Sequence, residues 1–187
     1  SDWALATNNL ANVYYERVRG NRANNIEQAI TEYHLALEIY TLDEFPRDWA
    51  RIQNNLGIAY NIRIRGDRAE NLEHSITSYY LALQIFTREA FPIDWATTQH
   101  NLATAYSNRI RGDRADNIEQ AIAAYQSALQ VRTPEILPKD CFLTAGSLGH
   151  LFFKEQNWTA ATGAYRVAIT ADEKLYQSRV SSESQAD

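Results

Sequence analysis

A repeat of 46 residues runs through most of this chain. The tryptophans Trp3, Trp49 and Trp95 mark its period, and many of the residues between them recur at the same spacing. A fixed period of roughly 20 to 50 residues is typical of a stacked-repeat protein, in which each unit contacts only its neighbours. The repeat therefore predicts an extended array that presents a long surface rather than a closed pocket.

Composition narrows the classes of function. The formal net charge of −5 over 187 residues argues against a general binder of nucleic acids or anionic membranes. Cys141 is the only cysteine, so no internal disulfide can form, and we expect a reducing, cytoplasmic environment. No stretch of the sequence has the length of a membrane span. Because the sequence has no methionine, even at position 1, and starts at a repeat boundary, we expect it to be a fragment of a longer protein.

Each unit carries the signals of two amphipathic helices. In the second unit Pro46 and Asp48 precede an apolar stripe with helical spacing, and Gly66 is expected to end that helix. Asn71 then stands where the N-cap of a second helix is expected. The stripes consist of Trp49, Ile52, Leu56, Tyr60 and Ile64 in the first helix and of Ile76, Tyr79, Leu83 and Phe86 in the second.

The same signals recur along the chain and predict the helix boundaries. First helices are predicted at residues 3–18, 49–64, 95–110 and 141–155, and second helices at residues 25–41, 71–87, 117–133 and 158–177. The tryptophans are expected to fill the gaps between successive hairpins. The residues expected in the core include Trp49, Trp95, Tyr60, Tyr79 and Leu83.

Both helices of a unit carry a recurring pattern of small and aromatic residues. The second unit reads Leu56-Gly57-Ile58-Ala59-Tyr60, with a small residue, a tyrosine and an alanine at fixed offsets in its second helix. The fourth unit reads Leu148-Gly149-His150-Leu151-Phe152, followed by Trp158, Ala161, Tyr165 and Ala168. This pattern resembles the tetratricopeptide repeat. The resemblance implies an all-α, right-handed solenoid of four helix-turn-helix repeats, at about residues 1–46, 47–92, 93–138 and 139–177. Residues 178–187 are serine-rich and polar, so we expect a disordered tail or a truncated linker there.

The 46-residue units share a more specific sequence pattern. The third unit runs from Trp95-Ala96 through Asn101-Leu102 to Arg109-Ile110-Arg111-Gly112. It looks like arrays that are common in cyanobacterial and other bacterial proteins and are often joined to a caspase-like CHAT protease domain. The last helix, which runs into Glu173-Lys174-Leu175-Tyr176, resembles the segment that precedes that domain.

In tetratricopeptide arrays the first helices line the concave face, and here asparagines precede the core leucine of these helices. This sequence pattern is similar to that of the kinesin light chain repeats, in which such asparagines bind cargo peptides. An asparagine side chain both donates and accepts, so a ladder of them can pair with the backbone of an extended peptide. The alternative is that one asparagine of each pair bonds the adjacent unit. We expect groove contact, because Asn8 and Asn54 have no obvious internal partner. The predicted partner-binding residues are Asn8, Asn9, Asn12, Tyr15, Arg51, Asn54, Asn55, Asn61, His100, Asn101, Ser107 and Asn108.

Arginines recur in the loops and could form a basic rim that binds carboxylates or phosphates. Acidic residues recur beside them, among them Glu27, Glu73 and Glu119, so we expect ion pairs between units to occupy most of the arginines. On the concave face only Arg51 is basic, and a site for a terminal carboxylate is not expected there. The loop arginines are Arg17, Arg19, Arg22, Arg63, Arg65, Arg68, Arg109, Arg111 and Arg114.

Little in the sequence supports catalysis. Cys141 stands where the other units have tryptophan, so it is expected in the core and not as a nucleophile. The histidines show no metal-ligand spacing, and no glycine-rich phosphate loop occurs. We therefore predict a non-catalytic module, without cofactor or metal, that captures a peptide or partner protein along its concave face. The alternatives are a self-association scaffold, a regulatory arm of a CHAT-type protease, and a nucleic-acid binder at the arginine rim.

Overall fold

The chain forms a row of α-helices. The structure is a computed structural model that describes residues 21–183, with side chains through residue 178. This part contains α1 (Arg22–Leu37), α2 (Pro46–Asn61), α3 (Arg68–Leu83), α4 (Pro92–Asn108), α5 (Arg114–Leu129), α6 (Pro138–Lys154) and α7 (Trp158–Glu183). It contains no strand, so the all-α prediction is confirmed for these residues. The predicted helix at residues 3–18 lies outside the described residues.

The helices stack as hairpins that contact only their neighbours. Helices α2 and α3, α4 and α5, and α6 and α7 form hairpins, and α1–α2, α3–α4 and α5–α6 contacts join one hairpin to the next. The first helices α2, α4 and α6 also contact each other in succession, whereas the second helices α1, α3, α5 and α7 do not. Elements on the inside of a curved stack lie closer together, so we call the side formed by α2, α4 and α6 the inner face. None of the helices α1 to α7 is long and apolar enough to cross a membrane.

The first helices begin at proline. Pro46, Pro92 and Pro138 occupy the first helical turn, and the residue before each makes no side-chain cap. The predicted N-cap at Asp48 is therefore wrong, and each first helix starts three residues earlier than predicted. A proline suits this position because its fixed φ matches that of a helix. Its missing N–H has no cost there, since the N–H groups of the first turn have no acceptor within the helix. Asp48 lies in the first turn instead, where a negative charge favours the helix dipole.

The second helices are capped by the residue that follows the glycine turn. Asp67 accepts a hydrogen bond of 2.8 Å from the backbone N–H of Glu70, and Asn21 and Asp113 cap α1 and α5 in the same way. The predicted N-cap at Asn71 is therefore wrong. Its Nδ2 atom donates 2.8 Å to the carbonyl of Arg65 and so fixes the loop. Gly66 has a φ of 78°, which favours glycine, but α2 has already ended at Asn61.

Small residues let the two helices of a hairpin approach closely. A Cβ atom on Gly57 would lie 2.6 Å from the ring of Tyr79, and Ser75 donates a hydrogen bond of 2.8 Å to the Gly57 carbonyl. Tyr79 is buried, which confirms its predicted core position. Tyr60 and Leu83 are only partly buried, but both pack against the core. Ile64 is 62% exposed, because it follows the end of α2 and does not continue the apolar stripe.

The interfaces between hairpins differ along the array. Trp49 and Trp95 are half-buried and pack around Phe86, which places them in the core less completely than predicted. At the last interface Arg132 stands in the place of Phe86, and Cys141 in the place of the tryptophan. Both are buried, as predicted for Cys141.

Helix α7 extends further than the other second helices. It continues to Glu183, into the segment at residues 178–187 that the sequence assigns to a polar tail. Residues 184–187 lie outside the described part of the chain.

Candidate functional site

A groove of about 490 Å³ opens on the inner face between α4, α5 and α6. Two of the predicted partner-binding residues, Ser107 and Asn108, line it. The complete lining is Thr104, Ser107, Asn108, Arg114, Tyr125, Phe142, Leu143, Gly146, Ser147, His150, Leu151 and Lys154. We call this concavity the inner groove.

One side of the inner groove is apolar. Phe142 and Leu143 on α6 are 42% and 48% exposed, although both border a concavity. Gly146, one turn further along α6, contributes no side chain, and a Cβ atom there would meet nothing within 4 Å. Exposed apolar side chains that surround an open depression can bury against an apolar side chain of a bound segment.

The opposite side of the groove is polar, and its groups are fixed by hydrogen bonds within α4 and between α4 and α5. The Thr104 hydroxyl lies 3.0 Å from that of Tyr125, and Ser107 and Asn108 each donate a hydrogen bond of 2.9 Å to the Thr104 carbonyl. Burial raises the pKa of Tyr125, so this phenol stays neutral. The α4 side therefore presents fixed, uncharged polar groups.

The charged groups of the groove are cationic. Arg114 and Lys154 line it, and none of its described lining residues is acidic. Arg114 is occupied, since it donates 2.7 Å to the Ser107 carbonyl and 3.0 Å to Glu155. Lys154 forms no ion pair among the described residues. The groove thus offers one available ammonium group at the carboxyl end of α6.

The predicted asparagine ladder joins units to each other. Asn101 on α4 donates 3.1 Å to the side-chain oxygen of Asn54 on α2, and Asn54 donates 3.4 Å to Asn55. The expectation that Asn54 has no internal partner is wrong, because the first helices lie close enough on the inner face for amides of adjacent units to meet. The alternative, in which one asparagine of each pair bonds the adjacent unit, describes Asn54 and Asn101.

His100 takes the place of Asn54 one unit later and also bonds across the interface. Its Nδ1 atom lies 3.1 Å from the hydroxyl of Thr144 on α6, which accepts a hydrogen bond of 2.9 Å from Arg132. The Thr144 hydroxyl has one proton and two lone pairs, so it accepts from Arg132 and is still able to bond the Nδ1 atom of His100. Burial, and then the charge of Arg132, lower the pKa of His100 to about 4.

The remaining predicted residues have diverse surroundings. Arg51 pairs with Asp48 at 2.6 Å, so its charge is compensated within α2. The side-chain oxygen of Asn61 is buried and has no hydrogen-bond partner among the described residues. The predicted residues Asn8, Asn9, Asn12 and Tyr15 lie outside the described residues.

Two loop arginines form the predicted ion pairs between units. Arg63 donates two hydrogen bonds to Glu27, at 2.8 and 2.6 Å, and Arg109 bonds Glu73 in the same way. The hydrogen bonds from the arginines hold the pKa of both carboxyls below its usual range. Arg65 bonds Asn24 of the preceding unit. These contacts occupy much of the described rim.

Sequence reasoning missed the residues that give the groove its chemistry. Leu143 occupies the register of Arg51 and Thr97, so comparing the fourth unit with the others would have found an apolar residue on the inner face. Lys154 could be found in the same way, whereas the counterparts of Phe142 are the fully buried Ala50 and Ala96, so comparison of the units would not have placed Phe142 on the inner face. Among the described residues, no group of three histidines, cysteines or acidic residues is arranged to hold a metal ion.

Comparison with known families identifies one match. The family model of the tetratricopeptide repeat matches residues 95–135, which include most of α4 and all of α5. No curated protein matches the chain. The match and the stacked helical hairpins on both sides of it together support a repeat protein of the tetratricopeptide type.

Proposed function

We propose that this chain is a non-catalytic interaction module that binds a segment of a partner protein along its inner face. Tetratricopeptide-type repeats are in general protein–protein interaction modules, and the observation that carries the proposal is the inner groove itself. It combines exposed Phe142 and Leu143 with the cationic Lys154 in one concavity of about 490 Å³.

The groove indicates the chemistry of the bound segment. Burial of an apolar side chain against Phe142 and Leu143 would supply most of the affinity, since each square ångström of buried apolar surface contributes about 25 cal/mol. A carboxylate of the segment would face Lys154. An exposed ion pair adds only about 0–1 kcal/mol, so Lys154 would orient the segment more than hold it.

The asparagines have two roles in this proposal. Asn54 and Asn101 hold α2 and α4 together and so shape the inner face. Ser107 and Asn108 line the groove and remain candidates for contact with the backbone of the segment. The other predicted partner-binding residues include Asn55 and the residues outside the described part of the chain. They would extend the same surface along a single array of four units.

A selection experiment tests this function. A random peptide library would be displayed on phage and selected on the immobilised chain, and the selected peptides titrated by fluorescence anisotropy. We expect apolar-acidic peptides whose affinity falls for Phe142→Ala/Leu143→Ala and, less, for Lys154→Ala. The matched control is Ile136→Ala, which removes an apolar side chain that is 68% exposed and does not line the groove. Peptides that bind all variants equally would place the binding surface elsewhere.

Self-association is a second candidate, because the last hairpin exposes apolar residues. Ile169 on α7 is 59% exposed, whereas Leu129, its counterpart on α5, packs into the core. A second copy could cover this side of α7, and so could a further domain of a CHAT-type parent protein. Light scattering over a range of concentrations separates the two: a mass that rises with concentration and falls again in Ile169→Glu indicates self-association, and a constant monomer mass excludes it.

A further inference from the structure

The amide bridge that joins α2 and α4 on the inner face is not repeated between α4 and α6. In that bridge Asn101 donates a hydrogen bond of 3.1 Å to Asn54. One unit later Ser147 and His100 stand at these two positions. The Ser147 hydroxyl is too short to replace an amide and donates 2.9 Å to the Leu143 carbonyl of its own helix. The inner groove lies at this second junction, where α4 and α6 both line it.

Gly146, next to Ser147, has no structural reason to be a glycine. In the same helix Gly149 is required by packing, because a Cβ atom there would lie 2.7 Å from the ring of Tyr165. At Gly146 a Cβ atom would meet no packing neighbour within 4 Å among the described residues, and the helical backbone does not require glycine. Glycine inside a helix is less stable than alanine, so the open space at Gly146 has a cost that the fold does not explain.

The space over Gly146 is continuous with the apolar side of the inner groove. Phe142, Leu143 and His150 lie one turn before or after Gly146 on the same face of α6, and all four residues line the groove. A side chain at Gly146 would therefore project into the groove. The concavity of about 490 Å³ is larger than one side chain needs, since roughly 300–1,000 Å³ is typical of sites for whole small molecules.

The charges of the inner groove determine what can accompany a side chain in this space. Lys154 lines the groove, and none of the described lining residues is acidic. A cationic side chain would be repelled there, whereas carboxylates of a bound segment would face Lys154. The occupant that fits is thus a large, uncharged apolar side chain within an acidic segment of a partner protein.

We propose that Gly146 is the specificity-determining residue of the inner groove, because the space above it accepts one large apolar side chain of the bound segment. This inference rests on the proposed function and adds the size of the side chain that the groove selects. The proposed function requires only that a segment binds at Phe142 and Leu143. The role of Gly146 requires in addition that binding depends on the space that its missing side chain leaves.

The test changes the size of residue 146 and measures which peptides bind. A phage-displayed random peptide library would be selected in parallel on the unsubstituted chain and on Gly146→Leu, and the enriched peptides titrated against both proteins by fluorescence anisotropy. We expect the peptides from the unsubstituted chain to share a large apolar residue. Their affinity for Gly146→Leu should be about tenfold weaker or more, because the leucine occupies the space that this residue needs.

A change in the peptide identifies the contact. Replacement of the shared large residue by alanine should weaken binding to the unsubstituted chain and change binding to Gly146→Leu much less, because the two residues compete for one space. Gly163→Leu is the matched control, since it makes the same change at an exposed helical glycine outside the groove and should leave all affinities unchanged. If Gly146→Leu does not fold, Gly146→Asn, which introduces the residue found at Asn54, takes its place.

The outcomes separate this inference from the proposed function. Peptides that bind Gly146→Leu and the unsubstituted chain equally, but lose affinity for Phe142→Ala/Leu143→Ala, would overturn the role of Gly146 and leave the proposed function intact. If no peptide is enriched, or if the peptides are insensitive to every groove variant, both are overturned.

Discussion

Arg109 joins Glu73 of the preceding unit through two parallel hydrogen bonds, 2.9 and 2.8 Å long, from Nε and Nη2 to the two carboxylate oxygens. Arg63 and Glu27 repeat this geometry one unit earlier. The side chains of each pair are only about a quarter exposed, so water competes weakly for these bonds. The ion pair is thus a recurring joint of the stack.

Removal of this joint should destabilise the array. We expect Arg109→Ala to lower the free energy of unfolding by about 1–2 kcal/mol, because a partly buried, charge-assisted pair is lost and Glu73 is left without its partner. Urea denaturation followed by circular dichroism measures the change. Arg111→Ala is the control: its charge also helps to lower the pKa of Glu73, but Arg111 forms no ion pair among the described residues, so its loss should change stability by less than about 0.5 kcal/mol. Equal effects of both changes would show that the ion pair between Arg109 and Glu73 does not stabilise the array.

His100 should make stability depend on pH. Its pKa falls from 6.5 to about 4 on folding, so above pH 6.5 both states are neutral, and between these values only the unfolded state binds the proton. Stability should therefore decrease as pH falls from 6.5 towards 4, by at most about 3 kcal/mol. His100→Asn, which introduces the residue found at Asn54, should flatten this part of the profile. An unchanged slope in the variant would show that other groups cause it.

Acid should also weaken the ion pairs of Glu27 and Glu73 with their arginines, over a lower pH range than that of His100. The arginines lower the pKa of Glu27 and Glu73 from 4.5, so their contribution is complete above that value and is lost as pH falls through the folded pKa. Glu73→Gln should reduce stability at neutral pH. As pH falls below 4.5, the variant should then lose less stability than the unsubstituted protein. Thermal midpoints of both proteins across this range provide the measurement, and parallel profiles would count against the assignment.

Gly57 should tolerate no side chain. A Cβ atom there would lie 2.6 Å from Tyr79, so Gly57→Ala should destabilise the hairpin by roughly 1–3 kcal/mol despite the better helix propensity of alanine. At Gly163 a Cβ atom meets nothing within 4 Å, and Gly163→Ala should stabilise by about 0.5–1 kcal/mol. Opposite signs of the two changes in thermal unfolding are the expected result; a stabilised Gly57→Ala protein would contradict the close approach.

Trp95 should contribute as a half-buried interface residue. It packs around Phe86, and Trp95→Ala should cost about 2–4 kcal/mol, at the lower end for large-to-small changes in cores. Trp158 is 55% exposed and serves as a matched control whose change to alanine should cost less. Chemical denaturation compares them, and an unmoved midpoint for Trp95→Ala would exclude a role in the interface.

The sequence predicts the helices well because their apolar periodicity is local. Boundaries fail where two local signals compete: Asp48 and Asn71 are good N-cap residues, but Pro46 and Asp67 lie closer to the true starts. Spacing within one helix cannot reveal this competition, since either residue would satisfy the rule.

The candidate site is less predictable because it depends on helices from different units. Asn54 resembles a free surface amide in sequence, and only the approach of α2 and α4 brings Asn101 to within 3.1 Å of it. The inner groove likewise requires α4 and α6 to face each other, so Leu143 and Lys154 carry no signal within a single unit.

The buried Arg132 makes the order of the units specific. Its guanidinium bonds Thr144 in the next unit and Thr97 in its own, each at 2.9 Å, and lies 3.9 Å from the carboxylate of Asp140. A phenylalanine at this position, as in the preceding unit, would remove the bonds to Thr144 and Thr97. Exchange of the second and third units would thus alter this junction. Hydrogen bonds through a buried guanidinium are directional, so the last hairpin takes its position relative to the third unit from geometry that the apolar contacts around Phe86 do not impose one interface earlier.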